Sequence, residues 1–432
     1  MKKRVLLVNP PIFDFTAYDY WLKPYGMLKV AGSLRGSVDL TLFDYLDRLH
    51  PEMAADGNLR GDRWGRGPFR SEPAECPAPF IQLPRVYRRF GLAREKFQRF
   101  LAAAPPFDAV LVQTVMTYWY PGVREVIGDV RLHSPLADVI LGGVYATLCP
   151  DHARGLGANL VIEGTDLAPL WQRLGVEPAA DSLPWWDGYP RLDTGVLKLT
   201  EGCPFRCTYC SVPQVYPRFS GHLDRAVREF DFLVGRGVRR IAFYDDALLF
   251  REKELLLPFL DAVIARGSPV ELHTPNALNA RFISPEIARQ MVRAGFRTFY
   301  LGFESAAYEW QKKTGGKVYS SELARAVENL VQAGTDPSEI TAYLIIAHPH
   351  EQTQDVEASM RYANNLGIRL MLSEFSPIPG TLDGEACREW IDLDEPLWHN
   401  KTAFPLVYLG EEEVLRLKQL CLDLNRALKK VA

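Results

Sequence analysis

Apolar runs at residues 5–8, 40–43, 109–113, 139–141 and 160–162 are short, and polar, Gly or Pro residues bound each one. They lack the alternation of a strand with one wet face; strands covered on both faces of a parallel sheet read this way. Helix-like stretches separate them, and that alternation predicts α/β layers. Residues 1–181 therefore read as a doubly wound, flavodoxin-like (Rossmann-type) domain, whose ligands bind beyond the carboxyl ends of the strands. Residues 50–84 break the rhythm with a Gly-, Pro- and Arg-rich insertion carrying Arg60, Arg63, Arg66 and Arg70 around Trp64 and Phe69. A connection of that length is a functional flap or a disordered segment, and both readings stay open.

Residues 182–194, with Pro184, Trp185, Trp186 and Pro190, read as a linker. A second alternation then begins. Strands are expected at 196–199, 240–244, 270–273, 298–302, 340–345 and 369–373, and helices at 252–265, 285–294, 320–333 and 353–366. Six β/α repeats are fewer than the eight of a closed barrel, whose chemistry sits on loops at the carboxyl ends of the strands. The repeats stop after Thr381. Residues 195–381 thus form one domain and 382–432 an extension ending in a helix over 411–428 that docks on it.

With 432 residues the chain exceeds a single ordinary core. The net charge of −3 gives no broad basic footprint, so a small-molecule substrate is expected and nucleic acid is not. No segment is long and apolar enough to span a membrane, and the N-terminus is too short in apolar residues for a signal peptide. Cys76, Cys149, Cys387 and Cys421 are scattered, which reads as reduced thiols and a cytoplasmic location.

The other three cysteines are Cys203, Cys207 and Cys210, spaced C-x-x-x-C-x-x-C after the first strand of the second alternation. Three thiolates can hold three irons of a 4Fe-4S cluster and leave the fourth open to chelate a small molecule. The competing reading is zinc, with His222 as fourth ligand, in a non-enzymatic binding protein.

This loop resembles that of the radical S-adenosylmethionine (radical SAM) enzymes. The resemblance implies a partial (β/α)6 TIM barrel and S-adenosylmethionine on the open iron. It implies cleavage to a 5′-deoxyadenosyl radical, with electrons from a reducing protein such as flavodoxin or ferredoxin. It places Tyr209 near the adenine, and Asp245 or Asp246 (after the second strand) and Glu304-Ser305 (after the fourth) on the cofactor. Without the resemblance, these carboxylates read as helix caps. His273, Asn276, Asn279 and Arg281 follow the third strand and are either orienting groups or turn residues. His348 and His350 follow the fifth and read as surface by default. Glu374 is expected to face the cavity. Trp398, His399, Lys401 and the arginine-rich insertion hint at a polar or anionic substrate closed under a flap.

The N-terminal domain carries a second resemblance. Asn9-Pro-Pro11, Phe107-Asp-Ala-Val-Leu-Val112, Leu141-Gly142-Gly143 and Ile162-Glu163-Gly164 are similar to the cobalamin-binding domain fused to many radical SAM enzymes; the glycines would let backbone approach a corrin face, and Thr114 is expected at the same site. Tyr118, Trp119 and Tyr120 form an aromatic loop at the same edge. The D-x-H-x-x-G histidine of many such domains is missing: the loop reads Asn9-Pro-Pro-Ile-Phe-Asp-Phe-Thr-Ala-Tyr18. Together the resemblances imply a cobalamin-dependent methyl transfer to an unactivated carbon. Cyclisation or rearrangement without methyl transfer is the alternative. A methylthiotransferase would need a second cluster, for which the N-terminal domain offers only Cys76 and Cys149.

Overall fold

The computed structural model describes residues 2–55, 59 and 61–428. The chain divides into two units, Met1–Asp193 and Thr194–Ala432.

The first unit is built on five parallel strands, β1 (Arg4–Asn9), β2 (Asp39–Asp44), β3 (Ala109–Thr114), β4 (Asp138–Gly143) and β5 (Leu160–Ile162), in the order β5-β4-β3-β1-β2. This is the flavodoxin-like order, with the reversal of direction between β1 and β3, where ligands of such sheets bind. Val5, Leu6, Leu7 and Val8 are all fully buried, as strands sandwiched between helices require.

The described part of the insertion is folded. Ser71–Pro73 and Ile12–Asp14 flank Arg88–Phe90 in a small antiparallel sheet, and Tyr18–Asp19 pairs with Gly67–Pro68. Arg48 donates to Gly65 O at 2.8 Å and Trp21 Nε1 to Trp64 O at 2.8 Å, tying the insertion to the segments after β2 and β1. Arg66 pairs with Asp62 at 2.6 Å, Arg70 with Glu72 at 3.2 Å, and Arg63 covers Trp64. The described arginines thus have partners inside the insertion; Arg60 lies outside the described residues.

The second unit holds six parallel strands in sequential order: β6 (Thr194–Leu197), β7 (Arg240–Phe243), β8 (Glu271–Asn279), β9 (Phe296–Glu304), β10 (Ile340–Ile346) and β11 (Arg369–Glu374). Local chemistry sets the helices between them. In Pro285–Ala294, Ser284 Oγ accepts from Ile287 N at 3.2 Å, Pro285 opens the first turn, and Gly295 ends the helix at φ 101°. The helix expected from residue 252 starts only at Leu256, because Arg251 takes a left-handed backbone (φ 57°) and the chain turns there first. Strands β8 and β9 outrun their apolar cores, since polar residues at their carboxyl ends stay in the ladder.

The final helix, Glu411–Leu428, covers the exposed edge of β11. Asn425 accepts from Leu370 N at 2.8 Å and donates to Leu370 O at 2.9 Å, satisfying both backbone groups of an edge residue. Glu374, expected to face the cavity, pairs with Lys418 of this helix at 2.6 Å. His399 is also structural: its ring bonds Leu393 O at 2.9 Å in a fully buried setting.

Candidate functional site

The cysteine loop leaves β6 through Thr200–Glu201, which pairs antiparallel with Ser220–Gly221, so a two-stranded ribbon closes the loop at its base. Gly202 begins it at φ 76°, where a Cβ would stand 2.6 Å from Arg218 O. Only glycine combines that backbone with that approach. Cys203, Cys207 and Cys210 are all free and half-buried. Burial raises their thiol pKa values, that of Cys210 to about 11. A metal is therefore needed to hold them as thiolates near neutrality. Among the described residues, no three His, Cys, Asp or Glu converge on a point where a single metal ion could sit, so the three thiols do not form a ready-made zinc site. His222 has partners other than the cysteines, its Nε2 lying 3.0 Å from Ser220 Oγ and 3.5 Å from Glu201. Three thiols without a fourth ligand fit a cluster with one open iron better than a closed zinc site.

Asp245 anchors the ribbon. Its Oδ1 accepts from Thr200 N at 2.5 Å and from Thr200 Oγ1 at 2.8 Å, while the buried Oδ2 has no partner. Burial pushes its pKa up to about 7, against the pull of Thr200 and Lys198. Asp246 lies beside Lys198, whose Nζ is 3.4 Å away and 4.9 Å above the Tyr216 ring. Glu304 is likewise taken, by Lys317 at 3.3 Å. Neither lysine carries a spacing signal in the sequence.

Tyr209 stacks on Trp310 with ring centroids 6.2 Å apart and 18° between planes. Trp310 Nε1 donates to His348 Nδ1 at 3.1 Å, and His348 Nε2 lies 3.0 Å from Asp383 Oδ2. Thr208, between two of the cysteines, donates its hydroxyl to the same Asp383 oxygen. Burial opposes the Asp383 charge, but the hydrogen bonds from His348 and Thr208 hold its pKa below the usual value. His348 is 0% exposed, not a surface histidine, because the loop after β10 tucks it against Trp310 and Phe375.

Ser305 turns inward: Ala307 N donates to its hydroxyl at 3.1 Å, and Ser359 lies 3.4 Å away. Nearby Glu351 is buried with no hydrogen-bond partner within bonding geometry at either oxygen, and burial raises its pKa to about 8. Of the residues after β8, His273 bonds Thr298 at 3.0 Å in the interior, Asn276 donates to Asp245 O at 3.3 Å, and Asn279 caps Arg281 N at 3.1 Å. Arg281 pairs with Glu322 at 2.9 Å.

In the first unit, the nominated residues meet at the carboxyl edge of the sheet. Thr114 Oγ1 donates to Gly142 O at 3.1 Å and accepts from Ala146 N at 3.1 Å, so it ties β3 to β4 and is buried in doing so. A Cβ on Gly142 would meet only Ile162 at 3.8 Å, and one on Gly164 nothing within 4 Å. These two glycines present bare backbone to open space, a surface a flat macrocycle can approach. Gly143 is closed off, since a Cβ there would stand 2.2 Å from Thr114 O, and Glu163 pairs with Arg154. The aromatic loop is not a flat landing: Tyr118 and Tyr120 are buried, and Tyr120 stacks on Tyr145. Trp119 Nε1 donates to Asp14 at 2.8 Å. The cavity that Trp119, Asn9, Pro11 and Met116 line holds about 20 Å³, room for a water and no more.

Three likenesses to known proteins bear on this geometry. The Radical SAM superfamily model matches residues 197–363. An uncharacterized methyltransferase of Pyrococcus horikoshii is 28% identical over 229 residues, covering 51% of this chain and 46% of the relative. The chain spans about half the length of the first curated relatives it matches. Among solved structures, the radical S-adenosylmethionine methyltransferase TsrM from Kitasatospora setae, solved with cobalamin and a 4Fe-4S cluster bound, gives a TM-score of 0.66 at 16% identity. The match covers 90% of this chain and 78% of that one. The cobalamin-dependent S-adenosylmethionine radical enzyme OxsB gives 0.57 at 12% identity, over 97% of this chain and 61% of that one. Residues 197–363 thus match the Radical SAM superfamily model, and the chain, with its N-terminal α/β domain, shares the fold of those two enzymes.

Proposed function

We propose that the protein is a cobalamin-dependent radical SAM enzyme that transfers a methyl group to an unactivated carbon of a small molecule. The observation that carries the reading is the loop of Cys203, Cys207 and Cys210 at the carboxyl end of β6, with no fourth protein ligand in place among the described residues. When bound, the cluster supplies the electron that splits S-adenosylmethionine into methionine and a 5′-deoxyadenosyl radical, and cobalamin supplies the methyl carrier.

The chain's own part is to hold and orient. Cys203, Cys207 and Cys210 ligate the cluster. Tyr209 and Trp310 form an apolar wall beside it. Asp245, through its unpartnered oxygen, and the Asp246 and Glu304 carboxylates offer acceptors for the ammonium and ribose hydroxyls of S-adenosylmethionine, while Ser305 sets the loop that carries Glu304. The open backbone at Gly142 and Gly164 carries the corrin, with Thr114, Gly143 and Glu163 shaping that edge and no histidine provided for the cobalt. Domain limits at 1–181, 182–194, 195–381 and 382–432 suit this division of labour. A flavodoxin- or ferredoxin-like donor and a cytoplasmic setting suit an oxygen-sensitive cluster. Among the described residues, no helix is long and apolar enough to cross a membrane.

Anaerobic purification followed by iron, sulfide and corrinoid analysis tests the reading. Four irons, four sulfides and corrinoid are expected, with S-adenosylmethionine split to 5′-deoxyadenosine and methionine. A product heavier by one methylene unit marks methylation, a larger gain containing sulfur marks methylthiolation, and no gain marks rearrangement. One equivalent of zinc without iron would end the proposal.

A further inference from the structure

Lys317 reaches the cysteine loop by a tight return of the chain. Gly315 and Gly316 before it have φ of 113° and 59°, conformations that side chains avoid. At Gly315 a Cβ would stand 3.2 Å from Cys207 Cα and 3.3 Å from Arg206 O, so this backbone lies directly against the loop. The Lys317 side chain is 23% exposed, and its ammonium meets Glu304 at 3.3 Å.

Glu304 is held in an unusual way. It has φ 68° and sits where the β9–β10 register slips between Gly302 and Glu304. A residue other than glycine in that region persists only when its surroundings impose it. A Cβ at Gly302 would lie 2.9 Å from Lys317 Nζ and 3.1 Å from Glu304 Oε1, so a glycine there leaves the ion pair its space. Three glycines and one strained glutamate thus build a single partly buried charge pair beside the thiols. Burial works against the Lys317 charge, yet Glu304 raises its pKa.

We propose that the Lys317–Glu304 pair tunes the reduction potential of the cluster held by the cysteine loop, with Lys317 favouring the reduced state and Glu304 opposing it. This rests on the reading that Cys203, Cys207 and Cys210 hold such a cluster. Reduction adds negative charge, and a fixed cation at short range stabilises it while a fixed anion does the reverse. Lys317 and Glu304 are positioning residues in this role.

The test is an anaerobic redox titration of the reconstituted full-length chain, followed by electron paramagnetic resonance, with iron and sulfide counted for every variant. Lys317→Met should shift the midpoint potential negative and Glu304→Gln positive. The double variant should return towards the wild-type value, and Lys317→Arg should stay near it. A loss of packing alone would not produce opposite signs. Single variants that keep the full cluster with an unmoved potential, or that shift in the same direction, overturn the inference. If Lys317→Met fails to fold, Glu304→Gln decides alone, and any shift other than a positive one refutes the proposal. A wild-type chain that takes up no four-iron cluster refutes the cluster reading, and the inference falls with it; the iron count tells the two failures apart.

Discussion

His348 and Asp383 are joined through Nε2 and Oδ2 at 3.0 Å, although 35 residues separate them in sequence. The proton arrangement follows from the neighbours. Trp310 Nε1–H and the His350 backbone N–H both point at His348 Nδ1, at 3.1 and 3.2 Å, so that nitrogen is an acceptor. Nε2 then carries the proton and donates to Asp383, which also accepts from Thr208. The loop after β10 and the segment after β11 thereby brace the middle of the cysteine loop.

Asp383→Ala removes that brace and leaves two buried donors without an acceptor. A loss of about 1–3 kcal/mol is expected. At about 2–4 °C per kcal/mol for a domain of this size, Tm should fall by several degrees. Calorimetry of the cluster-free chain measures it. Asp383→Asn keeps an acceptor oxygen in place and should lose less.

Ala replacements at Cys203, Cys207 and Cys210 together should abolish iron and sulfide uptake, and with it all formation of 5′-deoxyadenosine. Cys76→Ala and Cys149→Ala should leave the iron content unchanged. Iron analysis after anaerobic reconstitution checks both.

The buried Glu351 makes stability depend on pH. Its pKa is raised to about 8 in the folded chain against an ordinary value of 4.5, so the folded state binds the extra proton. This contribution to stability is fully present below about pH 4.5 and is lost as pH rises through about 8. Glu351→Gln should flatten the fall in Tm across that window. An equal slope in wild type and variant would show that the carboxyl is ionised at neutral pH.

Gly142→Leu places a side chain on backbone that faces open space, at a position with no left-handed strain. The chain should fold and keep its iron, but bound corrinoid should fall by more than about tenfold, the effect of roughly 1.4 kcal/mol. The corrinoid absorption of the purified variant measures this directly.

The sequence and the structure agree where apolar runs repeat. The strands at 5–8 and 109–113 and the helices at 285–294 and 411–428 appear within a few residues of their expected limits. Such elements are set by burial of neighbouring residues, which a linear pattern records. Contacts across many residues leave no such record. His348 looks like a loop histidine until Trp310 and Asp383 are brought to its two ring nitrogens. Lys198 and Lys317 are single lysines among polar neighbours, and nothing in their spacing announces that each occupies a carboxylate nominated for the cofactor. A sign of Lys317 was nonetheless present: Gly315-Gly316 just before it marks a backbone turn that only glycine allows. The aromatic loop shows the opposite error, since Tyr118 and Tyr120 were legible as rings but not as core.

The loop after β1 has no slack. A Cβ on Gly122 would come within 1.9 Å of Pro11 O, and fully buried Asp14 spends both carboxylate oxygens on Phe15 N and Trp119 Nε1. A histidine in place of Asp14 would lose both of those bonds, and one in place of Pro11 would have to fit against the helix that carries Gly122. At those two positions a histidine for a corrinoid would thus demand more than one substitution, since the loop, the helix that carries Gly122 and the Trp119 indole are tied together there.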